Sequence, residues 1–258
     1  MKSLKPFLIL NKNIFLLYIF IINFSIPLTA QKTESDSLFH SKCNTIGIKS
    51  FIIPVTLISF GAININSQFN VNVQNKIVPK DPISKCHLDN YLQYTPAVLA
   101  LGLNAVGIKG KHSLGQTALI YAMANIISNS MVYPAKHFTH EMRPDGSDDF
   151  SFPSGHTTEA FVSAELLRME FKEVSPWYGI SGYLMAFTTG YLRMYNNKHW
   201  ISDVTAGAGI GIASTKLAYL IYNKWSPKLK SKNHLVHNTI LLPSYQNKQP
   251  GFCLINRF

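Results

Sequence analysis

The run SLGQTALIYAMANIISNSMVYPA, residues 113–135, decides the fold: it carries no charged side chain and closes on Lys136. A helix needs about 20 mostly apolar residues to cross roughly 30 Å of hydrocarbon, and this run is long enough. Further uncharged stretches lie at Phe51–Asn75, Leu92–Ile108, Val174–Leu192 and Val204–Thr215, the last continuing past Lys216 to Asn223. Three or four of them predict membrane spans. The first, with Pro54, Gly61 and several Asn, is weaker and suits a re-entrant or interfacial segment. Residues 157–171 read as a helix too, but Glu159, Glu165, Arg168 and Glu170 predict one surrounded by protein. The expectation is an all-α chain, an antiparallel helical bundle spanning a membrane several times. Helices buried in a large soluble bundle have the same apolar signature. The glycines at 207, 209 and 211 allow close helix approach in either setting.

Composition agrees. Of 258 residues, 47% are hydrophobic, 12% aromatic and only 14% charged, which excludes intrinsic disorder. Three cysteines are too few for a disulfide-stapled scaffold. Cys43, Cys86 and Cys253 have no metal-ligand spacing; they permit one pair, Cys43 with Cys86, or three free thiols. The net charge of +11 suggests an anionic partner, but the lysines are scattered and no nucleic-acid motif accompanies them. Nucleic acid is set aside.

Residues 1–30 read as a signal peptide or N-terminal anchor: Lys2, Lys5 and Lys12 precede an apolar run from Ile14 to Phe24, and Ala30 supplies a small residue at the cleavage point. An N-terminal region at 31–91 with one weak apolar helix should lead into a catalytic helical core at 92–223. A basic linker and tail occupy 224–258, with short extended runs at 238–245 and 252–258 that suggest a hairpin. If the loops at 134–156 and 193–203 lie outside the cytoplasm, then Lys109 and Lys111, Arg168 to Lys172, and Lys224 to Lys232 fall inside, as the positive-inside tendency expects.

Three blocks carry chemistry: KHFTHEMRP at 136–144, FPSGHT at 152–157 and RMYNNKHWISD at 193–203. Each sits at the end of an apolar helix. Lys136, Arg143 and Arg193 are cations whose convergence would need an anion among them, because an unpaired buried charge is costly. Arginine's planar fork matches phosphate oxygens. Ser154 and Gly155 open a helix whose N–H groups form an anion cradle. His199 and Asp203 stand one helical turn apart, so Asp203 can hold one imidazole nitrogen while the other attacks. The predicted reaction is displacement at phosphorus without a metal or cofactor. His199 attacks, Asp203 fixes its tautomer, and His156 protonates the leaving oxygen; water then opens the phosphohistidine with His156 as base. His137 and His140 read as loop or rim groups, His112, His234 and His237 as solvated. Asp145, Asp148 and Asp149 read as a solvated loop tempering the positive field.

These blocks resemble the signature of the type 2 phosphatidic acid phosphatase superfamily, which also holds vanadium haloperoxidases and bacterial acid phosphatases. The family pattern is Lys-x6-Arg-Pro, Pro-Ser-Gly-His and Ser-Arg-x5-His-x3-Asp; only Leu192 departs, standing where Ser is usual. The resemblance covers roughly 92–223. It implies a metal-independent phosphatase acting on a membrane lipid phosphate (phosphatidate, a polyprenyl diphosphate or lipid A), in the inner membrane of a bacterium with its site facing the periplasm. Periplasmic and outer-membrane placements stay open. So do a soluble exported acid phosphatase, a vanadate-dependent haloperoxidase and a non-catalytic relative. The sequence does not fix the oligomeric state.

Overall fold

A computed structural model describes residues 46–78, 86–232, 238–246 and 249–257, with side chains described to residue 226. The expected leader at 1–30, Cys43, His234 and His237 lie outside these residues. After a 3-10 turn at Ile48–Phe51 come α1 (Ile52–Ile63), α2 (Gln68–Ile77), α3 (Asp89–Leu92), α4 (Thr95–Ala105) and α5 (Leu114–Thr139). Then follow α6 (Gly155–Phe171), α7 (Pro176–Tyr195), α8 (Ile201–Lys232), β1 (Asn238–Gln246) and β2 (Gln249–Arg257). The strands pair antiparallel from Asn238 with Arg257 to Gln246 with Gln249, so pairing runs closer to the turn than the extended runs suggest.

Local chemistry sets the helix starts. Ser113 and Gln116 form a capping box at α5, Gln116 Oε1 accepting the Ser113 N–H at 3.0 Å. Ser67 caps α2, Ser154 caps α6, and Ser175 followed by Pro176 opens α7. α5 stops where His140 turns left-handed, at φ 44°. That reversal carries the following residues back under the helix end.

The bundle is built around α6. Phe161, Val162, Ala164, Leu166, Leu167 and Phe171 are all buried, packed by α4, α5, α7 and α8. Each large side chain contributes about 1.5–3 kcal/mol by leaving water. The acidic residues of α6 are paired inside. Tyr121 donates to Glu159, and Arg168 donates to Glu165 at 2.7 and 2.6 Å. His112 Nδ1 lies 2.8 Å from Glu170, whose other bonds come from the His112 N–H and the Tyr219 hydroxyl. His112 is therefore not the solvated residue the sequence suggests; a carboxylate 58 residues away holds it.

α8 lies between α6 and α1, and its glycines make that possible. A Cβ on Gly207 would sit 2.7 Å from the Ser154 carbonyl, and one on Gly211 would sit 2.5 Å from that of Thr158. A Cβ on Gly209 would meet the Pro54 carbonyl at 2.6 Å on the other side. Alternate glycines thus admit different neighbours.

Among the described residues, one helix, Ile201–Ser226, is long and apolar enough to cross a membrane, with 72% of its most apolar window buried. Ile48–Ile63 and Gln68–Ile77 qualify only if taken together, and they meet at a 99° bend. The sequence suggests more. α4 has 11 residues, while Asn125, Ser128, Asn129 and Ser130 dilute the hydropathy of α5.

Candidate active site

The ends of α5, α6 and α7 and the start of α8 meet at one end of the bundle, bringing the three sequence blocks together. The charges of Arg193, Arg143 and Lys136 all act on the His156 imidazole, and those of Arg193 and Lys136 act on His199. Lys136 Nζ donates to the Phe150 carbonyl at 2.6 Å, and Arg143 Nε donates to Asp148 Oδ1 at 2.7 Å. Arg193 donates from one terminal nitrogen to Asp89 Oδ2 at 2.8 Å, while its Nε is buried without a hydrogen-bond partner. A buried guanidinium nitrogen left unpaired is costly unless an acceptor binds there.

His199 lies in the short connection from α7 to α8, just after Asn197, which takes φ 59°. It is 2% exposed, with Nδ1 3.3 Å from Asp203 Oδ2. Burial pushes its imidazole down to about 4 against the pull of Asp203, with Arg193 and Lys136 pushing the same way as burial. The ring is neutral at pH 7, the form a nucleophile requires. Asp203 Oδ2 also accepts from the Ser151 hydroxyl at 2.5 Å and the Trp200 N–H at 2.8 Å, and Ser202 Oγ reaches Oδ1 at 3.2 Å. The carboxylate is locked from several sides.

At the start of α6 the donors are unequally available. Ser154 uses its N–H on the Asp203 carbonyl at 3.1 Å, and its hydroxyl bonds to Thr157. The N–H groups of Gly155 and His156 are the first-turn donors left for an anion. A Cβ added at Gly155 would meet nothing within 4 Å, so the space in front of the helix is open.

Several residues here escape a reading by motif. Glu141, inside the first block, is 1% exposed; Asn66 N–H donates to its Oε1 at 3.1 Å, and its Oε2 has no partner. Burial, reinforced by the neighbouring Asp203 charge, raises its carboxyl to about 8 despite the Asn66 bond, so it is mostly protonated at pH 7. It borders a cavity of about 190 Å³ with Asn66, Asn70 and Trp200. Asn70, Asp89 and Asn90 also reach the site, from before the expected core at 92–223. Asn66 and Asn70 interrupt an apolar segment, which was the available signal; Asp89 and Asn90 give none. The acidic loop is part-exposed, as expected, and its carboxylates are also paired: Asp145 with Lys198 at 2.5 Å, Asp148 with Arg143, and Asp149 with His140 at 2.8 Å.

Residues 116–227 match the PAP2 superfamily model. A lipid A 1-phosphatase of Porphyromonas gingivalis is 39% identical over 135 residues, 52% of this chain and 30% of that protein. A lipid A 4'-phosphatase of Bacteroides thetaiotaomicron is 38% identical over 82 residues, 32% of this chain and 36% of that protein. The matched stretches thus span about a third of these relatives' lengths. Among solved structures, LpxE of Aquifex aeolicus has a TM-score of 0.48 at 22% identity, covering 60% of this chain and 98% of that one. The PAP2 type phosphatidylglycerolphosphate phosphatase of Bacillus subtilis has a TM-score of 0.48 at 20% identity, covering 67% and 96%.

Proposed function

We propose that this chain, whose residues 116–227 match the PAP2 superfamily model, is a phosphatase of membrane lipid phosphates, acting on the phosphates of lipid A or a chemically similar lipid. One observation carries the reading: three cations act on the His156 imidazole and two of them on that of His199, and one cation, Arg193, keeps a buried nitrogen unpartnered. A phosphate in that position pairs with Arg193, Lys136 and Arg143 and accepts from the N–H groups of Gly155 and His156. His199 forms the bond to phosphorus as the bond to the lipid oxygen breaks, and His156 supplies the proton that oxygen takes up. Water then attacks the phosphohistidine, giving its proton to His156, and phosphate leaves with His199 regenerated. Asp203 keeps the His199 tautomer and stabilises the imidazolium character that develops.

A lipid substrate is supported by the surface. Ile126 and Tyr133 on α5 and Trp177, Leu184 and Phe187 on α7 are exposed apolar side chains. Exposed apolar area of this extent suits a bilayer better than water. On this reading the protein sits in the bacterial inner membrane with its site toward the periplasm, where a lipid head can enter while its chains stay in hydrocarbon. The test is phosphate release from lipid A vesicles in EDTA. Wild type should release phosphate, vanadate should block it, and His199→Ala should abolish it. A strict requirement for added Mg2+ would refute the mechanism.

A further inference from the structure

We infer that α3, which precedes the PAP2-matching segment, is a working part of the phosphate site: Asp89 aims the Arg193 guanidinium and Asn90 holds the Nε2 edge of His156. The inference rests on the function proposed above, for which both would be positioning residues.

The geometry is specific. Asp89 is 1% exposed, and its Oδ2 takes one terminal nitrogen of Arg193, leaving the buried Nε without a partner. A long side chain fixed by one carboxylate has already lost rotamer freedom that an anion would otherwise have to take from it. One residue on, Asn90 Oδ1 lies 2.9 Å from His156 Nε2, 66 positions away in the chain. The segment is tied to α7 at its start and braced within itself. The Cys86 N–H donates to Asn196 Oδ1 at 3.1 Å and the Cys86 carbonyl accepts from Asn196 Nδ2 at 2.7 Å. Gln93 Nε2 donates to the Asn90 carbonyl at 2.9 Å. Asn196 is the C-cap of α7, three residues beyond Arg193, so this short helix is fastened to the element that carries the cation.

An amide oxygen on Nε2 means that this nitrogen keeps its proton in both states of the ring. Nδ1 is then the nitrogen that exchanges a proton with the leaving oxygen and later with water. As imidazolium, His156 has two N–H groups; the Nδ1 proton goes to the leaving oxygen, and the Nε2 proton stays on Asn90. The acceptor favours the charged ring, opposing the cations around it. The charged groups facing His156 are Arg193 from α7, Asp89 from α3, Arg143 from the loop after α5, and Lys136 from α5. Burial acts with the three cations against the charged ring and Asp89 acts for it; Asn90 adds a neutral acceptor on the side of Asp89.

The experiment uses the full chain in detergent micelles with 15N-labelled histidine. The His156 signal is identified by its loss in His156→Asn and titrated in wild type, Asn90→Ala and Asn90→Asp. The pH dependence of kcat/KM on lipid A is measured alongside, with thermal unfolding as a check on folding. Asn90→Asp should raise the His156 pKa by about one unit and Asn90→Ala should lower it, with the alkaline limb of kcat/KM moving in step. One titration curve shared by all three proteins, or a curve that shifts while the limb stays still, would overturn the inference. Should wild type release no phosphate from lipid A, the proposed function fails, and the ring titration still decides whether Asn90 holds His156.

Discussion

Asn70 grips Ser202 twice: its Nδ2 donates to Ser202 Oγ at 2.7 Å and its Oδ1 accepts the Ser202 N–H at 3.3 Å. Ser202 Oγ in turn lies 3.2 Å from Asp203 Oδ1. The bent N-terminal pair of helices is thereby joined to the residue that orients His199. Asn70→Ala should leave buried groups unpaired at a cost of about 1–3 kcal/mol. The expected result is a lower Tm together with reduced kcat and little change in KM, read by thermal unfolding and steady-state kinetics.

Removing His199 and removing Asp203 should differ in kind. His199→Ala deletes the proposed attacking group, and turnover should fall by at least about 10^3-fold. Asp203→Asn keeps the shape but favours the wrong tautomer, so the loss should be large yet smaller. It also replaces a carboxylate that accepts from Ser151, Ser202 and Trp200, so its unfolding temperature should drop more than that of His199→Ala. Phosphate release and thermal melts on both variants check this.

Acid should destabilise the fold through His199. The folded ring titrates near 4 and an unfolded histidine near 6.5, so between these values the unfolded chain binds more protons. Stability from this group is therefore complete above about pH 6.5 and is lost as pH falls toward 4. Tm measured across that window should decline for wild type and decline less steeply for His199→Gln.

Glu141 should act in the opposite sense. Its carboxyl titrates near 8 in the fold and near 4.5 when unfolded, so its contribution is present below about 4.5 and fades as pH rises toward 8. Glu141→Gln keeps the neutral shape and should flatten the fall in Tm between pH 6.5 and 8, above the His199 window, on the same melt series. An unchanged slope would contradict a protonated Glu141.

The glycines of α8 should be intolerant of even a methyl group. Gly207→Ala would drive α8 away from the start of α6, with an overpacking cost of about 1–3 kcal/mol. Because His156 stands on one of those helices and Asp203 on the other, turnover should fall alongside Tm. Gly209→Ala presses on α1 instead and should lower Tm with a smaller effect on rate.

Much of the site could be read in the sequence because its chemistry is tied to local spacing. Arg193, His199 and Asp203 lie within one short loop and helix start, and Ser154 to His156 form one cap. Contacts between distant segments are another matter. Nothing in the spacing joins Asn70 to Ser202 or Asn90 to His156, and helices before residue 92 supply both. His112 looked solvated because its partner, Glu170, becomes a neighbour only after α6 packs. Fewer described helices have the length and hydropathy of a span than the uncharged stretches suggest, because polar residues such as Asn125, Ser128 and Asn129 lie within α5.

The backbone bond from Ser154 N–H to the Asp203 carbonyl has a mechanical consequence. It stitches the anion cradle to the residue proposed to orient the nucleophile, main chain to main chain, so these two groups keep their spacing. Accommodation of a bulky headgroup then falls to α3, whose Asp89 and Asn90 rest on Arg193 and His156 through side chains.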